Sequence, residues 1–192
     1  LFGAKIIPSR GVWIEMETDT DGILYVRIDK KRKFPITSLL RVLGITDAEM
    51  LKLFTKEHEQ KSIALALAKD SAKTVMESYV EVYKRLRDGD LATADNAKEF
   101  IDGTVFGPDR YDISSVGRFR INQQFGGGTD EKDLKVRTLT KEDLVNIVKY
   151  VFELNITPGA KIEDIDHLGR RRVKYVGELL EQKIRTGMMQ IK

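Results

Sequence analysis

The chain has 192 residues, 41% hydrophobic and 33% charged, with a formal net charge of +3, and so should fold in water as one domain or two small ones. No run approaches the roughly 20 apolar residues that span a bilayer, and no signal-peptide pattern opens the chain. Cysteine is absent, which excludes disulfide scaffolds, thiolate metal sites, iron–sulfur clusters and cysteine nucleophiles.

In chain order, residues 4–7 read as a strand-like run and residues 8–11 punctuate it. Residues 11–16 are a short apolar-rich run containing Trp13, residues 19–22 are a turn signal, and residues 23–28 are a second strand. The expected product is a small antiparallel sheet packed in part by Trp13 and Tyr25. Residues 30–33 are four adjacent cations, a solvated turn. Residues 37–43 look helical until Gly44 stops them, and Thr46 with Glu49 opens a second short helix through a capping box. Further helices are expected over 58–69, over 71–87 and from Thr93 through Phe100. Residues 110–122 read as irregular or mixed around Gly117. Gly126, Gly127 and Gly128 read as a flexible, solvent-exposed connection or a hairpin tip, and residues 133–139 as a short strand. Thr140 and Asp143 cap a helix with a stripe of Leu144, Val145, Val148, Val151 and Phe152, broken at Pro158 and Gly159. Residues 161–172 form a charge-dense loop. Val176, Leu179, Leu180 and Ile184 line one face of a C-terminal helix. The chain opens at Leu1 without methionine and closes in a helical pattern, so it reads as part of something larger.

Catalytic signatures are missing. There is no Gly-x-Ser-x-Gly elbow and no Walker A motif, and the triple glycine lacks the lysine and hydroxyl that grip phosphate. Glu163, Asp164 and Asp166 offer carboxylates at alternating spacing, but the basic run that follows argues against a cation site. His167 beside Asp166 has no nucleophile to serve.

The cation clusters carry more. One joins Arg27 to Lys30, Lys31, Arg32 and Lys33. The other is Arg170, Arg171 and Arg172 with Lys174, and Arg118 with Arg120 could form a third. Such clusters suit phosphate, an acidic protein partner or plain solvation. Asp166 would repel phosphate, yet it can accept a hydrogen bond from a base edge or pair with a neighbouring arginine. Residues 55–109 hold 8 basic and 11 acidic side chains, which makes that region a candidate protein-docking patch instead.

Four blocks resemble one family: Ala4-Lys5-Ile6-Ile7-Pro8-Ser9-Arg10-Gly11-Val12-Trp13; Tyr25-Val26-Arg27-Ile28-Asp29-Lys30-Lys31-Arg32-Lys33; Arg110-Tyr111-Asp112-Ile113-Ser114-Ser115-Val116-Gly117-Arg118; and Asp164-Ile165-Asp166-His167-Leu168-Gly169-Arg170-Arg171-Arg172-Val173-Lys174-Tyr175-Val176-Gly177-Glu178-Leu179. In order and spread they are similar to the bacterial RNA polymerase beta subunit, in its lobe. The resemblance implies an α+β fold of small antiparallel sheets, an inserted helical subdomain and a C-terminal helix. It implies a lobe over 1–172, with its helical centre at 35–105, and a helix over 173–192 leading toward the protrusion domain.

The resemblance also implies a role without catalysis. The lobe lines the DNA cleft and helps hold downstream DNA and the non-template strand. The loop carrying Ile165, Asp166 and Arg171 helps form a pocket for a flipped guanine, and the basic loop lies near promoter DNA. The candidate DNA-binding residues are therefore Arg27, Lys30, Lys31, Arg32, Lys33, Ile165, Asp166, Arg171, Arg172 and Lys174. No cofactor is expected in this chain, because the catalytic Mg²⁺ belongs to the partner beta-prime subunit. The implied partners are the beta-prime and alpha subunits, sigma factor, promoter and downstream DNA, and regulatory or phage proteins, with no membrane. The implied location is the bacterial cytoplasm, with the nucleoid. Arg170 stands where many members carry Asn, which adds charge to the loop.

Overall fold

Alternation of apolar and polar residues builds the first layer. The computed structural model describes all residues except 88, 163, 165–172 and 192. Strands β1 (Gly3–Ile6), β2 (Ile14–Thr18), β3 (Leu24–Ile28) and β4 (Phe34–Pro35) form one antiparallel sheet in sequence order. The register sets Ile14 opposite Ile28 and Met16 opposite Val26, so these side chains share the buried face with Leu24. The intervening positions, Lys5, Glu15, Glu17, Tyr25 and Arg27, belong to the other face.

Eight α-helices follow among the described residues: α1 (Ile36–Val42), α2 (Asp47–Leu53), α3 (Glu57–Lys69), α4 (Val75–Leu86), α5 (Ala94–Ile101), α6 (Ser114–Phe125), α7 (Lys141–Ile156) and α8 (Val176–Gln190). Helices α1, α3 and α7 pack on the sheet, while α4 packs on α1 and α5 packs on α4. The core joins Leu39 and Leu40 of α1, Ile63 of α3, and Leu144, Val148, Val151 and Phe152 of α7 to the sheet's apolar face. Asn155 at the end of α7 accepts the Phe2 N–H at 2.7 Å and donates to the Thr18 hydroxyl at 3.1 Å, which ties that helix to the sheet's first two strands. The chain divides into two compact units, Leu1–Ala160 and Lys161–Lys192. In the second, Val176, Leu179, Leu180 and Ile184 of α8 are all exposed.

Local chemistry sets the boundaries. Gly44 (φ 75°) ends α1 in a Schellman motif, with the Ile45 N–H bonded to the Leu40 carbonyl and the Gly44 N–H to the Arg41 carbonyl. Capping boxes open α2 at Thr46 with Glu49, α4 at Thr74 with Glu77, and α7 at Thr140 with Asp143. The expected start of α4 at residue 71 is thus four residues early. Replacing Thr140 with alanine is expected to lower stability by about 1 kcal/mol, read as a shift of the denaturant midpoint at unchanged slope.

Three expectations between residues 110 and 139 are corrected. Residues 114–125 are a regular helix, α6, rather than irregular chain. Its buried residue is Arg118, so no apolar stripe announces it. Gly126 takes a left-handed φ of 76° and stops that helix; it is not a hairpin tip. Residues 133–139 hold a single 3-10 turn, Asp133–Lys135, and no strand. The carbonyls a sheet would use are taken: Val136 and Thr138 accept from Arg118, and Arg137 accepts from the Ile113 N–H.

Candidate nucleic-acid interface

The outer face of the sheet is a ladder of charges with aromatic rings between them. Lys5, Glu15 and Arg27 lie in register across β1, β2 and β3. Lys5 pairs with Glu15 at 2.8 Å, Arg27 with Glu17 at 3.0 Å, and Lys33 with Asp19 at 3.7 Å. Exposed pairs of this kind are worth about 0–1 kcal/mol, so their main effect is to neutralise. Thr20's backbone N–H first, and the Lys33 ammonium second, hold the Asp19 carboxyl below the usual carboxylate range. Asp19 is therefore ionised at neutral pH and keeps Lys33 occupied.

The turn between β3 and β4 differs. Asp29 and Lys30 have φ of 55° and 60°, which lift the chain out of the strand direction. The Asp29 N–H bonds to the Trp13 carbonyl at 2.8 Å and the Lys31 N–H to the Ile28 carbonyl at 3.1 Å. Lys30, Lys31 and Arg32 are exposed at its tip. Among the described residues, no hydrogen bond or ion pair engages their side chains. Lys30 Nζ stands 5.3 Å from the Trp13 ring centre, Lys5 Nζ stands 5.8 Å from the same ring, and Lys33 Nζ lies 4.6 Å from the Tyr25 ring.

Trp13 and Tyr25 thus serve the cationic face instead of filling the core. The signal was present in the sequence: Trp13 is out of phase with Ile14 and Met16, so it belongs to the face of Glu15 and Glu17. Lys5, not among the candidate residues, joins the same face. Of the five candidates in this cluster, Arg27 and Lys33 are held in ion pairs with Glu17 and Asp19, and Lys30, Lys31 and Arg32 are presented. Arg118 leaves the third cluster altogether. It is 4% exposed and bonded to Asp143, Val136 and Thr138. Ile165, Asp166, Arg171 and Arg172 lie outside the described residues, and Lys174 is exposed just before α8.

The family described as RNA polymerase Rpb2, domain 2, matches residues 3–174. The chain belongs to this family. Its relatives include the DNA-directed RNA polymerase subunit beta of Syntrophomonas wolfei, 41% identical over 191 residues covering 100% of this chain and 17% of that protein. The subunit of Streptomyces avermitilis is 38% identical over 199 residues, covering 98% of this chain and 17% of the relative. That of Synechococcus elongatus is 39% identical over 187 residues, covering 96% and 16%. This Rpb2 domain 2 chain is therefore homologous over nearly its whole length to bacterial beta subunits, in the lobe, and spans about one sixth of theirs. The family match takes in both cation clusters and stops at Lys174, two residues before α8. No described helix is long and apolar enough to cross a membrane, and no three described His, Cys, Asp or Glu residues gather as a metal site.

Proposed function

We propose that the chain is a non-catalytic part of an RNA polymerase beta subunit that lines the DNA cleft and helps hold downstream DNA and the non-template strand during transcription. The observation that supports it is the turn at residues 30–32: three exposed cations whose side chains, among the described residues, form no hydrogen bond or ion pair, beside a Trp13 ring flanked by Lys5 and Lys30. Cations on a phosphate chain with an aromatic face next to them suit a single strand, where stacking of a base is worth about 1–3 kcal/mol. Lys30, Lys31 and Arg32 would position the strand and carry no sequence information. Arg27 and Lys33 would act mainly by shaping that surface.

The loop at 165–172 enters on its sequence. Asp166 would accept hydrogen bonds from the Watson–Crick edge of a flipped guanine, with Ile165 beside it, and Arg171, Arg172 and Lys174 would hold the strand. The role is exercised with the beta-prime and alpha subunits and sigma factor, in the bacterial cytoplasm, and Mg²⁺ chemistry belongs to beta-prime.

The test is binding of the 192-residue chain to a fluorescein-labelled forked DNA across a salt series. The double variant Lys31→Ala with Arg32→Ala is expected to bind more weakly and to lower the salt slope by up to about 1.5, at unchanged base preference. Equal affinity and slope for both proteins would overturn the reading.

A second reading, protein docking, has one observation in its favour. Met76, 48% exposed, lines an apolar groove of about 400 Å³ with Val80 of α4 and Ala94 of α5, edged by Glu77, Glu81 and Lys84. Charge reversal there would weaken a docked regulator and leave DNA contact unchanged.

A further inference from the structure

We infer that Arg85 is a positioning residue that fixes, from helix α4, the shape in which the turn presents Lys31 and Arg32; the inference rests on the reading of that turn as the DNA contact. Arg85 lies in the last turn of α4. Its Nη1 donates to the Lys33 carbonyl, and its Nη2 pairs with Glu81 one turn back. The guanidinium lies 5.8 Å from the ring of Phe34, which is 1% exposed. One side chain therefore grips the backbone at the exit of the turn and rests on the first residue of β4.

The turn needs a clamp there. Its entry is tied by the Asp29 and Lys31 amide bonds, but it contains two non-glycine residues at positive φ and four consecutive cations that repel one another. The exit strand, β4, is two residues long, so its ladder contributes little. Arginine suits the place because a planar fork can donate to Glu81 and to the carbonyl at once while stacking on the ring, which an ammonium cannot do. Glu81 both aims the guanidinium and neutralises it, so Arg85 shapes the cationic surface without adding to it.

The test uses the 192-residue chain with Arg85→Met and Arg85→Lys, read by amide hydrogen exchange and by binding of the fluorescein-labelled forked DNA. Arg85→Met is expected to speed exchange at Lys31 and Phe34 by about tenfold while the amides of α7 stay protected. It is also expected to weaken DNA binding about threefold or more, and Arg85→Lys is expected to restore neither property. Unchanged exchange at Lys31 and Phe34 in Arg85→Met would overturn the inference. So would full rescue of DNA binding by Arg85→Lys with exchange still fast, because Arg85 would then act only as a charge. Unchanged DNA binding in the Lys31→Ala, Arg32→Ala double variant would instead remove the DNA reading, and the exchange result would still decide whether Arg85 holds the turn.

Discussion

Replacing Asp70 with alanine is expected to destabilise the Leu1–Ala160 unit by about 3–5 kcal/mol, the scale for stripping one partner from a buried ion pair. Asp70 is 2% exposed and is the acceptor on which a buried polar cluster converges. It accepts from the Thr37 hydroxyl at 2.5 Å, the Ser38 hydroxyl at 2.9 Å, Arg41 Nη1 at 2.8 Å and the Ala72 N–H at 3.1 Å. Arg41, itself 2% exposed, keeps Asp47 at 2.7 Å as its other carboxylate. Burial alone would push the Arg41 guanidinium down, but the bond to Asp47 and the charges of Asp47 and Asp70 outweigh it and hold its proton more tightly than usual. Without Asp70, two hydroxyls and an amide are left in the core without their acceptor, and Arg41 Nη1 keeps only the Ala72 carbonyl at 2.8 Å. Thermal unfolding should then fall by about 6–20 °C for a chain of this size. Asp70→Asn, which keeps an acceptor and removes the charge, should lie between the two. A loss under about 1 kcal/mol in Asp70→Ala would mean the cluster repacks or fills with water, contrary to this account.

Replacing Arg118 with methionine is expected to cost about 2–4 kcal/mol, with its effect concentrated around α6. Methionine keeps most of the stem and removes every donor. Arg118 gives one bond to Asp143 Oδ1 at 2.7 Å and others to the carbonyls of Val136 and Thr138. Asp143 would keep its capping bond from the Thr140 N–H, so the start of α7 should survive. Amide exchange should therefore accelerate in α6 and over residues 133–139 while the sheet amides stay protected. Uniform acceleration across the sheet would show that α6 and the sheet unfold as one unit and would contradict the local account.

These two polar clusters mark where the sequence was hard to read. Strands and helices carried by apolar periodicity were legible: β3 through its alternation of Leu24, Val26 and Ile28, α7 through its stripe, and α2 and α7 through their capping boxes. Helix α6 was not, because a buried arginine and an internal Gly117 stand where a stripe would be. Arg118 looked like surface charge, and only the distant Asp143 turns it inward; Arg41, within a run that reads as helical, is held inward by the likewise distant Asp70. In the candidate site, sequence located the cations at residues 30–33 but could not tell which were spoken for. The partners of Arg27 and Lys33, Glu17 and Asp19, are distant in the chain and are brought near by the pairing of β2 with β3.

The most direct test of the central claim is photo-cross-linking from position 31. A photoreactive residue replaces Lys31 in a full-length beta subunit carrying this sequence, assembled with its partner subunits on promoter DNA, and a matched probe replaces Met76 in the α4–α5 groove. The account predicts DNA cross-links from position 31 that fade as salt is raised, and none from position 76. DNA cross-links from position 76 with only protein cross-links from position 31 would contradict it.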